Sequence, residues 1–313
     1  MVSVLGGACY VSFSGGKDST VCADLAAKVC EVLNYKLVLW FSDTGLEFPE
    51  LKKHVKSFAE YLRSEYCIEV ELIIDHPHDK KGNLISFRNV LENEGYPIVS
   101  KQVAEYANRI QKHGTINTRT GEKTRAAKAF DGELLMNNGK SSRFNCKNWR
   151  CLLDADFKIS QKCCDIMKKR PAHMFEEKTG LKCILGVMAE ESTHRYNNWL
   201  KEGCNAYERD NPQSKPMSFW LENDVLRYIK ERELPICSIY GEIKKDENDR
   251  YYCTGYDRSG CLYCGFGAQL QKSPNRYERL KETHPQLYDY CMKPLEDGGL
   301  GFDKVLTFID VKH

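Results

Sequence analysis

The feature that most constrains the fold of this chain lies at residues 8–19. An apolar run stops at Ser14-Gly15-Gly16-Lys17-Asp18-Ser19 and gives way at once to a helical pattern. Residues 8–13 have the length and composition of a buried parallel strand. Beyond the loop, Val21, Leu25 and Val29 recur at helical spacing, with Cys22, Ala26 and Leu33 on the adjoining stripe, which predicts a helix with one face against a sheet. A second strand is expected at residues 37–41, then the turn Ser42-Asp43-Thr44-Gly45 and a helix over 49–66 with Pro49 in its first turn. A third strand is expected at 69–74. Strands and helices alternating at this spacing predict an α/β fold with a parallel sheet and helices on both faces. Further along, helices are expected over 99–112, 166–178 and 219–232 and a strand over 183–187, while 114–140 reads as polar loop.

The chain has 313 residues, enough to bury a substantial core, and 42% hydrophobic with 29% charged residues fits a globular fold. No stretch reaches the ~18 apolar residues of a membrane span. The start has no basic leader or cleavage site, so a cytoplasmic location is expected. Fifteen cysteines cannot all pair within one chain, which points to a reducing compartment. Cys22, Cys30 and Cys183 lie in helix- and strand-like runs and read as small buried hydrophobes. The net charge of +2 hides an uneven spread: residues 101–170 carry +9 and the rest −7. Such a basic block suits an extended anion such as nucleic acid, and equally a solvated helical surface.

In the loop, Gly15 and Gly16 allow positive φ and close approach of backbone N–H groups to a phosphate, beside the positive end of the next helix. The usual kinase-type phosphate loop is excluded, because position 11 is Val and position 18 is Asp. An ordinary glycine turn is the plain alternative, and six specific residues between strand and helix argue against it.

Ser-Gly-Gly-Lys-Asp-Ser resembles the pyrophosphatase loop (PP-loop) of the adenine nucleotide α-hydrolase superfamily, which grips the β,γ-pyrophosphate of ATP and leaves the α-phosphorus open to attack. The resemblance implies that Lys17 neutralises the leaving pyrophosphate, that Ser14, Gly15, Gly16 and Ser19 add hydrogen bonds, and that Asp18 helps hold Mg2+. With residues 41–50, Phe-Ser-Asp-Thr-Gly-Leu-Glu-Phe-Pro-Glu, the chain resembles the phosphoadenosine phosphosulfate (PAPS) reductase family. That family also takes in the small subunit of sulfate adenylyltransferase and the ATP pyrophosphatase of DNA phosphorothioation. Ser192 with Arg195, Ser218-Phe219-Trp220 with Asp224-Val225, and Gly255-Tyr256 before Gly260-Cys261 follow the family's order, so the resemblance covers most of the chain. It implies a Rossmann-like nucleotide-binding domain over 1–235 with a basic insertion around 76–160, followed by a cysteine-containing appendage over 236–313. Asp43, Thr44 and Gly45 would hold the adenosine, Ser192 would help bind the nucleotide and Arg195 would act in catalysis.

Cys163-Cys164 and Cys261-Leu262-Tyr263-Cys264 have ligand spacing, and four thiolates are what an iron–sulfur cluster takes. An adjacent pair followed far downstream by Cys-x-x-Cys resembles the ligation of a [4Fe–4S] centre in adenylylsulfate reductases. Structural zinc on Cys261, Cys264 and two further ligands, Cys253 among the candidates, is the alternative. Cys146 and Cys151 remain as further ligands or reactive thiols, and are more simply incidental.

The chain departs from the reductases in two places. It has no C-terminal Glu-Cys-Gly tail, its last cysteine being Cys291, and Met188, Ala189, Glu190 and Glu191 stand where reductases tend to carry paired arginines. The leading expectation is therefore an ATP-Mg enzyme that adenylylates an acceptor with release of pyrophosphate and uses the cluster in sulfur transfer. One alternative is a sulfonucleotide reductase releasing sulfite, with Cys291 or Cys146 as nucleophile. Another is a non-catalytic nucleotide-binding subunit with a structural metal. The partners expected are a nucleic-acid or nucleotide acceptor, a sulfur- or electron-donor protein and a second copy of the chain in a homo-oligomer.

Overall fold

The computed structural model describes residues 1–208 and 211–313. Its contacts divide the chain into two compact units, residues 1–78 with 170–260 and residues 79–169 with 261–313. The central sheet of the first unit comprises β1 (Cys9–Ser12), β2 (Leu37–Ser42), β3 (Val70–Asp75), β4 (Lys182–Ile184), β5 (Asn205–Ala206) and β6 (Gln213–Ser214). Its helices are α1 (Lys17–Leu33), α2 (Pro49–Glu65), α3 (Arg170–Thr179), α4 (Thr193–Glu202) and α5 (Glu222–Arg232).

Successive side chains of a strand point to opposite faces, and here they enter two different cores. Val11, Leu39 and Phe41 pack with α1, α2 and α5, whereas Tyr10, Val38 and Trp40 pack with Phe175 of α3 and Cys183 of β4. Helices thus cover both faces. The strand order is β3-β2-β1-β4-β6-β5. Chain direction is parallel throughout except between β5 and β6. That antiparallel edge corrects the expectation of a purely parallel sheet. The connection from Ala206 to Gln213 is too short for the crossover that a parallel pair needs.

β1 connects through α1 to β2 on one side, while its other neighbour, β4, arrives only after a long excursion of the chain. The C-terminal end of β1 is therefore a topological switch point, where open α/β sheets bind their ligands. The loop at residues 14–19 occupies that end.

Three local expectations need correction. On α1 the buried stripe is Val21, Cys22, Ala23, Ala26, Ala27 and Cys30, while Val29 and Leu33 are exposed. Small side chains bring α1 close to the end of β4: a Cβ on Gly186 would fall 2.8 Å from the Asp18 carbonyl oxygen and 2.9 Å from the Cys22 Cβ. The helix expected over 166–178 is a π-helical turn, Asp165–Lys169, continued by α3, and the strand expected over 183–187 ends at Ile184.

In the second unit, the insertion and the C-terminal segment form one body instead of two separate additions. Ile98–Val99 pairs in parallel with Gly265–Phe266, the Tyr96 hydroxyl donates to the Leu300 carbonyl at 2.9 Å, and Arg88 donates to the Leu295 carbonyl at 2.8 Å. Phe87, Tyr96 and Tyr277 pack around Phe302. All fifteen cysteines are free thiols. Among the described residues no helix is long and apolar enough to cross a membrane.

Candidate functional site

The chain leaves β1 at Ser12 and must turn at once into α1. Gly15 makes this possible with φ of +74°, and a Cβ there would also meet Val55 Cγ2 at 2.9 Å on α2. Gly16 forms the N-cap of α1 without a side-chain cap. A Cβ on it would come within 3.0 Å of Ser259 Oγ and 3.3 Å of Tyr240 Oη. Ser14 and Ser19 meet across the loop at 3.1 Å, and Ser19 donates to the Gly16 carbonyl at 2.9 Å.

Lys17 is only 3% exposed. Its ammonium pairs with Glu222 at 2.8 Å and donates to the Asp257 carbonyl at 2.6 Å, and its backbone N–H donates to Tyr240 Oη at 3.3 Å. Asp18 beside it has an unusual setting. Burial pushes its carboxyl pKa up, Glu191 and Glu222 add to the rise, and Lys17 and Arg258 oppose it. Its Oδ1 is buried without a hydrogen-bond partner among the described residues. An orphaned carboxylate oxygen next to a phosphate-type loop suits Mg2+, which is commonly bound by one or two carboxylates together with substrate phosphates and water.

The turn after β2 lies at the same edge of the sheet. Asp43 Oδ1 accepts from the Gly45 N–H at 3.1 Å and pairs with Lys52 at 2.5 Å, while Thr44 Oγ1 donates to Glu47 at 2.7 Å. Gly45 takes φ of +75°. Ser192 caps α4 by accepting from the Arg195 N–H at 3.2 Å. Arg195 pairs with Glu191, which also accepts from the Met188 N–H and lies 3.8 Å from Arg258. Glu191, which in the sequence weighs against an anionic ligand, is thus matched by two guanidinium groups.

The four ligand-spaced cysteines all belong to the second unit. Cys163 is buried, and the Cys264 N–H donates to the Cys261 carbonyl at 3.3 Å in a tight turn. The Cys264 carbonyl accepts from Arg276 at 2.6 Å. The Cys163 thiol pKa is pushed up, first by burial and then by Cys164, Cys261 and Cys264, so the four side chains share one electrostatic neighbourhood. Their donor chemistry suits iron–sulfur or zinc. Among the described residues, however, no group of three or more His, Cys, Asp or Glu side chains stands in an arrangement that would hold a metal ion. Cys253, the further zinc candidate, instead feels the charges of Lys17, Glu222, Asp257 and Asp18 in the first unit.

Sequence reasoning missed Glu222, Tyr240, Asp257, Arg258 and Ser259, all of which converge on the loop. A signal for the last three was present in the bracketing Gly255 and Gly260. Gly255 packs so closely that a Cβ would collide with the Ile239 carbonyl.

The sequence profile of the phosphoadenosine phosphosulfate reductase domain matches residues 8–121 and 100–265. An uncharacterized protein of Methanocaldococcus jannaschii is 24% identical over 301 residues, which cover 94% of this chain and 49% of that protein. The chain thus spans about half the length of the curated relative it matches. A crystal structure of phosphoadenylyl-sulfate (PAPS) reductase from Candida auris, in a phosphate complex, aligns with a TM-score of 0.36 and 14% identity over 77% of this chain and 82% of that one. That likeness is too weak to carry an argument. The profile match spans most of the chain, and with it the glycine loop at the switch point: the chain belongs to the PAPS reductase family, within the PP-loop ATP pyrophosphatase superfamily.

Proposed function

We propose that this chain cleaves ATP at the α-phosphate to adenylylate an acceptor oxygen, and that its four-cysteine site holds a [4Fe–4S] cluster used in sulfur transfer to that acceptor. The observation that carries the reading is Lys17, a buried ammonium at the start of α1, within a glycine loop at the switch point of the sheet. Family membership supports nucleotide binding there.

In this reading Ser14, Gly15, Gly16 and Ser19 grip the β,γ-phosphates, and Asp43, Thr44 and Gly45 receive the adenosine. The acceptor oxygen forms a bond to the α-phosphorus. The bond from that phosphorus to the bridging oxygen breaks, and its electron pair leaves with pyrophosphate. Lys17 exchanges Glu222 for the leaving group and neutralises the charge that develops on it. Arg195, with Ser192 fixing the start of its helix, stabilises the α-phosphate oxygens. Mg2+, when bound, shields phosphate charge, with Asp18 as its protein ligand. A sulfur nucleophile then bonds to the activated acceptor, and AMP departs with the acceptor's oxygen.

Cys163, Cys164, Cys261 and Cys264 would hold the cluster, which supplies sulfur- or electron-transfer chemistry; zinc on the same thiolates is the competing occupant. A nucleic-acid or nucleotide acceptor, a sulfur- or electron-donor protein, a homo-oligomeric state and a reducing cytoplasmic setting belong to the same proposal. The reductase reading needs an accessible nucleophilic thiol. Cys291 is fully buried with its thiol pKa raised well above the usual range, and burial pushes Cys146 up to about 11, so both weigh against it.

The test is pyrophosphate release from ATP under anaerobic conditions, with iron, sulfide and zinc analysis of the same preparation. Lys17→Ala is expected to lower release by about a hundredfold or more and leave the metal content unchanged. Normal turnover by that variant would remove the loop from the chemistry. Zinc without iron would remove the sulfur-transfer half.

A further inference from the structure

Residues 114–150, within the second unit, carry eight Lys or Arg against three Asp or Glu. Two of those acids are already matched within the segment. Asp131 pairs with Lys123 at 2.8 Å and with Arg150, and Glu133 pairs with Lys123 at 2.6 Å. Arg119, Lys128, Lys140, Arg143 and Lys147 form no ion pair among the described residues. The segment therefore presents a surplus of unmatched cations.

Set into this surplus is a cavity of about 470 Å³ lined by Arg125, Leu135, Met136, Asn137, Ser142 and Phe144. Leu135 is 68% exposed and Phe144 36%, so large apolar side chains face solvent. They stand on a pinned turn. The Met136 N–H donates to the Lys140 carbonyl at 2.8 Å, and the Ser142 N–H to the Leu134 carbonyl at 2.8 Å. Asn145 accepts from the Leu134 N–H at 3.0 Å and donates to the Leu134 carbonyl at 3.1 Å. The Arg143 guanidinium lies 5.0 Å from the centre of the Phe144 ring.

This combination selects among ligands. An acidic peptide would use the cations and leave the aromatic and aliphatic side chains in water. A membrane surface would take up the apolar groups and the cations but has no use for an amide-edged hollow. An unpaired nucleotide uses all three: its flat base stacks on an aromatic ring or a guanidinium, its edge hydrogen-bonds to amide and hydroxyl groups, and its phosphates meet Lys and Arg. The cavity also falls within the ~300–1,000 Å³ typical of ligand pockets.

We propose that this turn binds single-stranded nucleic acid. One unpaired base stacks on Phe144 beside Leu135 and Met136, and Arg125, Lys140 and Arg143 hold the flanking phosphates. The inference deepens the acceptor reading above, yet binding is measured without ATP, so either can fail without the other.

The test is fluorescence anisotropy of the full chain with labelled single-stranded RNA, single-stranded DNA of the same sequence and the matching duplex, at about 50 and 200 mM salt. Tighter binding of a single strand than of the duplex is expected, and the RNA and DNA arms identify which strand is preferred. Phe144→Ala should weaken single-strand binding about tenfold, with Phe144→Tyr restoring it. Lys140→Ala with Arg143→Ala should flatten the salt dependence by about one unit of slope. Unchanged thermal melting of these surface variants confirms that they fold. Equal binding of duplex and single strand, no binding, or wild-type binding by Phe144→Ala would each overturn the proposal.

Discussion

In the first unit the residues that converge on Lys17 include six consecutive positions, Ser14 to Ser19, whereas in the second unit the four ligand-spaced thiols come from two segments separated by 97 residues. The difference shows in what each site asks of the fold. The loop needs a strand behind it, a helix ahead of it and two glycines, all supplied by adjacent sequence. The cysteines have no shared neighbourhood until the insertion and the C-terminal segment pair through Ile98–Val99 and Gly265–Phe266. Local backbone conformation builds the first site and long-range packing builds the second.

If that contrast holds, damage to one site should spare the other. The largest effect expected is from Cys163→Ala with Cys164→Ala, which should abolish iron binding and any visible absorbance while leaving the ATP dissociation constant within about twofold of wild type, since no loop residue is altered. A parallel loss of ATP binding, measured by equilibrium dialysis, would break the comparison.

An intermediate effect concerns the ground beneath the loop. His54 of α2 is buried beside Phe13 and Phe58, its Nε2 lies 3.2 Å from Thr20 Oγ1 in the first turn of α1, and burial pushes its pKa down to about 4. The folded chain holds this imidazole neutral, whereas the unfolded chain protonates it below about 6.5. The unfolded state thus binds more protons between about pH 6.5 and about pH 4, and stability falls as pH drops through that window, by up to about 3 kcal/mol. Urea titrations across the window, compared with His54→Asn, measure this contribution. An identical slope in the variant would assign the pH dependence to other groups.

The smallest effect expected sharpens the picture of Lys17. Its partner Glu222 has a side chain 47% exposed, which limits the pair to about 1 kcal/mol or less. Glu222→Gln should therefore tighten ATP binding by no more than about fivefold, by releasing the ammonium to the phosphates. Weaker binding in this variant would mean that Glu222 positions Lys17 for the nucleotide instead of competing with it.

Much of the first unit was legible because its signals are periodic and local. The runs at 8–13, 37–41 and 69–74 became β1, β2 and β3 with boundaries shifted by a residue or two, and Pro49 does open α2. The buried face of α1 was misread because periodicity favours large apolar residues. Its packing surface is made of alanines and cysteines, which let the helix approach the sheet, and Val29 and Leu33 point away. The π-helical turn at Asp165–Lys169 left no mark that a period of 3.6 would reveal. Tyr240, Asp257 and Ser259 stood too far along the chain for any spacing rule to link them to Gly16 and Lys17.

The sequence by itself determined the α/β alternation, the place of the glycine loop between strand and helix, and the cysteine pairs with ligand spacing. These follow from side-chain period, glycine geometry and thiolate chemistry, which act over a few residues. Only the tertiary structure decided that Lys17 is held by Glu222 and Asp257, that Asp18 carries an orphaned buried oxygen, and that the insertion and the C-terminal segment are one body. Burial and charge depend on neighbours in space, and for these residues the neighbours lie far away along the chain.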